Sequence, residues 1–176
     1  MKTKAAPVFR VTSQSRTATN GHITVGNLTF RCALGRAGMR TRKREGDGAT
    51  PVGMWRLCSI YFRRDHMHRP RTGLPVRPLC RHDGWCDAPA DRNYNRRVDL
   101  PYPASAETLW RDDTLYDLIV VLDHNAQPRR RGGGSAIFIH VARPGLTPTE
   151  GCIALPLPHL RRLLAHARPG SRLLID

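Results

Sequence analysis

Short apolar runs cut by turn formers constrain this chain more than any other feature. Fifteen glycines and fourteen prolines are scattered through 176 residues, and the runs between them are of strand length. His22-Ile23-Thr24-Val25 and Leu28–Ala33 flank Gly26-Asn27, a pair suited to a tight primed turn, and predict a hairpin. Met54–Phe62, Leu115–Leu122, Ser135–Val141 and Arg172–Ile175 read as further strands. Helical period is confined to the end of the chain. Leu160, Leu163, Leu164 and Ala167 recur at i, i+3, i+4 and i+7, giving an amphipathic helix that starts near Pro158 and stops at Pro169-Gly170. The predicted fold class is a single α+β, mainly β, domain over residues 21–176, entered through a frayed lead-in over residues 1–20.

Two segments fall outside this pattern. Lys43–Pro51 is a polar, glycine-rich loop, and residues 63–113 are rich in Pro, Arg, Asp and Asn with little periodicity. A stretch that long without its own structure is unusual in a compact domain, so it reads as a functional excursion over the surface.

Twenty-nine Lys+Arg against fourteen Asp+Glu leave a net charge of +15. Such a field draws polyanions, whether nucleic acid, anionic lipid or an acidic cell wall. The basic residues are dispersed, with short clusters at Arg40–Arg44 and Arg129–Arg131 and no basic helix interleaved with aromatics. No specific nucleic-acid partner is therefore expected, and a solubilising cationic surface is the bland reading. The N-terminus starts basic but never reaches an apolar run, which predicts neither a signal peptide nor a transmembrane segment. Five cysteines are an odd number, so at least one stays unpaired even in an oxidising compartment.

The segment from His140 to Ile153 carries the chemistry. His140 ends an apolar strand, and Cys152 follows Gly151 at the end of a Pro/Gly loop, so the two can face each other across a cleft. A free thiol is mostly protonated at neutral pH, and its thiolate is the nucleophile. An imidazole within reach takes that proton and later returns it to a leaving amine. Gly151 has no Cβ, which lets backbone N–H groups approach a developing oxyanion. The pairing predicts a rate that climbs between mildly acidic and neutral pH. Against this stands the plain alternative of a buried, inert cysteine and a satisfied core histidine.

The remaining candidates are weaker. Cys80 and Cys86, with His82 and Asp83 between them, leave open a zinc site, a disulfide or simple packing. The spacing is not that of a zinc knuckle and no second ligand pair follows, so no metal is assigned. His66 and His68 read as a solvated loop, and Glu45 and Asp47 as turn formers. Gly132-Gly133-Gly134 lacks the context of a phosphate cradle and reads as a hinge beside the cleft.

The segment resembles the L,D-transpeptidase (YkuD-type) catalytic signature, in which a histidine is followed after a spacer by Ser/Thr-x-Gly-Cys and a hydrophobic residue. His140, Thr149, Gly151, Cys152 and Ile153 fill those places. Lys43-Arg44-Glu45-Gly46-Asp47-Gly48-Ala49-Thr50-Pro51-Val52-Gly53 is similar to the early loop of that family. Gly84-Trp85-Cys86-Asp87, Tyr94-Asn95-Arg96 and Asp123-His124-Asn125 are similar to features of one of its bacterial branches. The resemblance spans about residues 21–176. It implies a β-sandwich-type catalytic domain that needs no cofactor and acts on peptidoglycan stem peptides in the periplasm or cell wall. Cys152 would attack the third stem residue, expel D-alanine and leave a thioester for a second stem's amine to resolve, with His140 as base and then acid. The carbonyl of Val141 would orient the histidine ring. Ala154 departs from the Asn or Arg that usually follows the Gly-Cys-hydrophobic run. Substrate binding is therefore expected to fall to Arg143, His124, Tyr94, Arg96 and Thr149, since a guanidinium grips a carboxylate bidentately. Two rivals remain: an L,D-carboxypeptidase using water at the same site, and a basic wall- or nucleic-acid-binding module whose Cys/His pair is inert.

Overall fold

The structure, a computed structural model, describes residues 5–176, so the first four residues of the expected lead-in lie outside it. In chain order the strands are β1 (Val8–Thr12), β2 (Asn20–Val25), β3 (Leu28–Ala33), β4 (Met39–Arg40), β5 (Thr50–Pro51), β6 (Gly53–Phe62) and β7 (Val76–Pro78). They continue with β8 (Asp83–Cys86), β9 (Arg96–Asp99), β10 (Ala106–Thr108), β11 (Leu118–Leu122), β12 (Phe138–Val141) and β13 (Ile153–Leu155). Helix α1 (Leu157–Leu164) and β14 (Arg172–Ile175) complete the chain. The architecture is mainly β with one helix.

Nine strands form one sheet in the order β11-β12-β13-β3-β2-β1-β14-β6-β7, and an additional β11–β6 pairing closes the ladder on itself. The β2–β3 hairpin forms in the expected register, with Val25 opposite Leu28 and Gly26 at φ 53° in the turn. That positive φ is what a tight hairpin turn asks of its first residue. The helix buries Leu160, Leu163 and Leu164 against the sheet. Among the described residues no helix is long and apolar enough to cross a membrane.

Two expectations are corrected. Val8–Thr12 is not a frayed lead-in: β1 lies within the sheet, parallel to β14 and antiparallel to β2. Phe9 and Val11 are wholly buried and explain why, since a period-2 apolar pair drives the segment into the core. The second correction concerns residues 63–113, which contain β7 and a three-stranded sheet in the order β10-β8-β9. These strands run only three or four residues, too short for period-2 alternation to register in sequence.

The small sheet exists because β11 is apolar on both faces. Leu118, Val120 and Leu122 join the main core, while Ile119 and Val121 join a second cluster with Trp85, Leu109, Tyr116 and Phe138. The excursion covers that second face. Its centre is Asp83, fully buried, which accepts hydrogen bonds from Arg77 and Arg97 (2.6 Å each) and from the Cys80 N–H (2.7 Å). Burial alone would raise this carboxyl's pKa, but the Cys80 N–H and the two guanidiniums hold it below the usual range. Asp83→Asn leaves both arginines without their shared counter-charge, at a cost of about 2 kcal/mol. Calorimetry should show a melting temperature lower by roughly 5 °C.

All five cysteines are unpaired. Cys86 is buried and Cys80 exposed, so the disulfide considered for that pair is not formed.

Candidate active site

Alternation along β12 divides the site from the core. Ile139 and Val141 face the main core, whereas Phe138 and His140 share the opposite face. Strand β13 lies parallel to β12 with Ile139 opposite Ile153, which brings Cys152, one residue before β13, alongside Phe138. The Cys152 thiol accepts from the Phe138 N–H (3.4 Å) and donates to the Ala136 carbonyl (3.2 Å). Ala136 is held at φ 51°, uncommon for a residue with a Cβ. Its N–H donates to Asn95 Oδ1 (3.1 Å), which also accepts from Trp85 Nε1 (2.9 Å). Asn95 thus fixes the carbonyl on which the thiol rests.

His140 Nδ1 lies 2.8 Å from the Val141 carbonyl oxygen. A carbonyl only accepts, so Nδ1 carries the proton and Nε2 keeps its lone pair. The ring packs edge-on against Tyr116, with centroids 5.3 Å apart. Cys152 and His140 line the same cleft, of about 530 Å³.

Burial pushes the Cys152 thiol up to about 12 and the His140 imidazolium down to about 4. At rest the pair is therefore a neutral thiol and a neutral imidazole, not an ion pair. This changes the expected pH dependence. Because His140 is already a free base above about pH 5, acylation should rise only through the acid range and then run flat to neutrality. The climb between mildly acidic and neutral pH expected from sequence is displaced downward. Initial rates of thiol acylation across that range check it, and a rise centred near the ordinary histidine pKa of about 6.5 would contradict it. The same depression is linked to stability. The neutral form is favoured in the fold, so this contribution is complete above the unfolded pKa and is lost as pH falls through about 4.

Gly151 sits at φ 132°, and a Cβ there would lie 2.8 Å from the Ala49 carbonyl oxygen. Its N–H, expected to serve an oxyanion, instead donates to Thr149 Oγ1 (3.1 Å). The contribution of the glycine in this state is therefore steric: it lets the Cys152 loop lie against residue 49. Thr149 lines the cleft, but its hydroxyl is committed to the loop, donating to the Cys152 carbonyl at 2.6 Å.

The expected substrate-binding residues divide. Arg143 is exposed at the cleft rim and Thr149 lines the wall. Tyr94, His124 and Arg96 do not line the cleft. Tyr94 is buried and donates its hydroxyl proton to Glu45 while accepting from the Gly134 N–H (3.0 Å), so it pins the early loop to the glycine loop. His124 is buried against Trp55, with Nε2 3.1 Å from the Gly133 carbonyl. Arg96 lies in a separate depression with Arg56, Cys58 and Arg129. All three were expected at the site to supply the polar group that Ala154 lacks, and the sequence could not say which way they point.

Sequence reasoning missed Lys43, Asp87, Glu107, Arg111 and Tyr116, which line the cleft, and it read Glu45 only as a turn former. Lys43 is buried in an ion pair with Asp47, and Arg111 pairs with Asp113 at 2.7 Å. Glu107 is the one glutamate of the 63–113 segment among seven aspartates, and nothing in the sequence singled it out. No side chains of the metal-binding type cluster in threes among the described residues.

Fold and cleft together define a mainly-β domain in which one thiol and one imidazole share an accessible groove. The family model of the YkuD L,D-transpeptidase catalytic domain matches residues 8–175, and the chain belongs to that family. Membership carries L,D-transpeptidase-type function generally, with peptidoglycan peptides as substrates and an extracytoplasmic role at the cell wall. No curated protein and no solved structure matches the chain.

Proposed function

We propose that the protein is a peptidoglycan L,D-transpeptidase built on a β-sandwich-type catalytic domain and working in the periplasm or cell wall, with Cys152 as nucleophile and His140 as general base. The observation that carries this reading is the His140 ring, whose Nδ1 is held by the Val141 carbonyl so that its basic Nε2 is free in the cleft that Cys152 lines.

In the first half-reaction the thiol proton passes to His140 Nε2 as sulfur attacks the carbonyl of the third stem residue. Transfer during attack suits a pair that is neutral at rest, because no buried ion pair has to exist before substrate arrives. His140 then protonates the departing D-alanine amine, leaving a thioester on Cys152. An amine from a second stem resolves the thioester into a cross-link. Arg143, exposed at the rim, meets the substrate carboxylate in this reading. The +15 charge favours residence on an anionic wall.

Muropeptide analysis after incubation with a tetrapeptide stem tests the reaction. Cross-linked dimers with released D-alanine are the expected products. Tripeptides without dimers would make the protein an L,D-carboxypeptidase, and unchanged substrate would leave only a basic binding module.

A further inference from the structure

Glu107 is out of place if the cleft serves only a thiol nucleophile. A carboxylate near Cys152 disfavours the thiolate, and its charge adds to the burial that pushes the thiol pKa up. Its position is nonetheless built. Glu107 lies on β10 opposite Trp85 of β8, and its Oε1 accepts a 2.6 Å hydrogen bond from the Tyr116 hydroxyl. The Tyr116 ring is the one packed edge-on against His140. Glu107, Tyr116, His140 and Cys152 all line the same cleft.

Among the described residues no cation is bonded to this carboxylate. Among the described residues Glu107 makes no salt bridge: Arg111 is paired with Asp113, and Lys43 with Asp47. Glu45 and Asp87 line the cleft as well and add negative charge around Glu107. Burial foremost, and then these neighbours, raise the Glu107 pKa against the opposing Tyr116 hydrogen bond and Arg111 charge. A desolvated carboxylate with no cation bonded to it, beside an acyl-accepting sulfur, suits a positively charged group brought by the substrate. A thioester awaiting an amine meets such a group, because a primary amine arrives at neutral pH as an ammonium ion.

We infer that Glu107 receives the ammonium group of the acyl acceptor and takes its first proton, so that a primary amine rather than water resolves the Cys152 thioester. This deepens the transpeptidase reading and rests on it. The ammonium gives one proton to the Glu107 carboxylate, and the neutral nitrogen attacks the thioester carbonyl. As the C–N bond forms, the second proton passes from nitrogen to His140 Nε2. The C–S bond then breaks, and the sulfur leaves with that proton as the Cys152 thiol. Glu107 finally loses its proton to water. The sum is one amide, one thiol and one released proton from a thioester and an ammonium. The same raised pKa that disfavours a bare carboxylate makes Glu107 a better match for an ammonium proton.

Glu107→Gln removes the charge while keeping an oxygen for Tyr116. The thioester formed from a tetrapeptide donor is followed by intact mass, and its partition between amine acceptor and water by product analysis. The variant is expected to form the thioester but to lose about 10²-fold in aminolysis relative to hydrolysis. Glu107→Asp, which keeps the charge, should recover part of the loss. Hydroxylamine, neutral under the same conditions, should resolve the wild-type and Gln thioesters alike. An unchanged partition between primary amine and water in the Gln variant overturns the inference, as does an equal loss with hydroxylamine. If Glu107→Gln does not fold, the wild-type ratio of aminolysis to hydroxylaminolysis decides, and no preference for the charged amine overturns it. Absence of any thioester on wild-type Cys152 is a separate result that overturns the transpeptidase reading itself.

Discussion

Cys152→Ala is expected to abolish turnover of tetrapeptide stems, a loss on the order of 10⁴-fold or more, while leaving binding to wall material largely intact. The contrast follows from where the sulfur sits. It is almost fully buried and lies at the junction of β12 and β13, held between the Phe138 N–H and the Ala136 carbonyl. No other thiol is so placed. Cys32 is buried in the main core, where desolvation pushes its pKa to about 12, and Cys58 and Cys80 are exposed away from the cleft. Alanine removes two hydrogen bonds of sulfur to backbone groups, so the fold should lose about 1–2 kcal/mol and remain folded at assay temperature. A variant that folds, binds wall and does not turn over separates catalysis from adhesion. Turnover that persists would remove Cys152 from the mechanism.

The second large effect is expected at His140. His140→Gln should slow thiol acylation by about 10³-fold, the range of a lost general base. Its signature lies in the pH profile. Wild-type acylation levels off once the imidazole is neutral, which its pKa of about 4 places in the acid range. The variant has no titrating base, so its residual rate should instead increase tenfold per pH unit, following the small thiolate fraction of a thiol whose pKa is near 12. Stopped-flow measurement with a thiol-reactive acyl donor records both slopes. A variant that retained the wild-type plateau would show that some other group takes the proton.

Much of this site was legible because its chemistry is local in sequence. The His140 and Cys152 segments belong to neighbouring strands joined by one loop, and Val141, the carbonyl partner of the imidazole, is the adjacent residue. Strands β2, β3, β6, β11 and β14 showed themselves as apolar runs because each buries at least two residues of one face. What escaped notice depends on contacts distant in sequence. The β8–β9–β10 sheet is made of segments of three or four residues whose pairing registers only in three dimensions. Glu107 reaches Tyr116 nine residues away across the second hydrophobic cluster. Tyr94 and His124 were expected to meet substrate in place of the polar group that Ala154 lacks. Here the Glu45 carboxylate and the Gly134 N–H occupy the hydroxyl of Tyr94, and the Gly133 carbonyl occupies His124, which makes them struts between loops. Val8–Thr12 was lost for a simpler reason: it is five residues long and carries only two buried positions, Phe9 and Val11.

The central claim is that sulfur 152 becomes covalently acylated. Intact-mass spectrometry of the protein incubated with a tetrapeptide muropeptide, quenched in acid to preserve thioesters, tests it without depending on which acceptor follows. The expected spectrum has one adduct of the donor minus D-alanine on the wild-type chain and none on Cys152→Ala. An adduct of the same mass on the alanine variant, or unmodified wild-type protein after the donor has been consumed, would contradict the account.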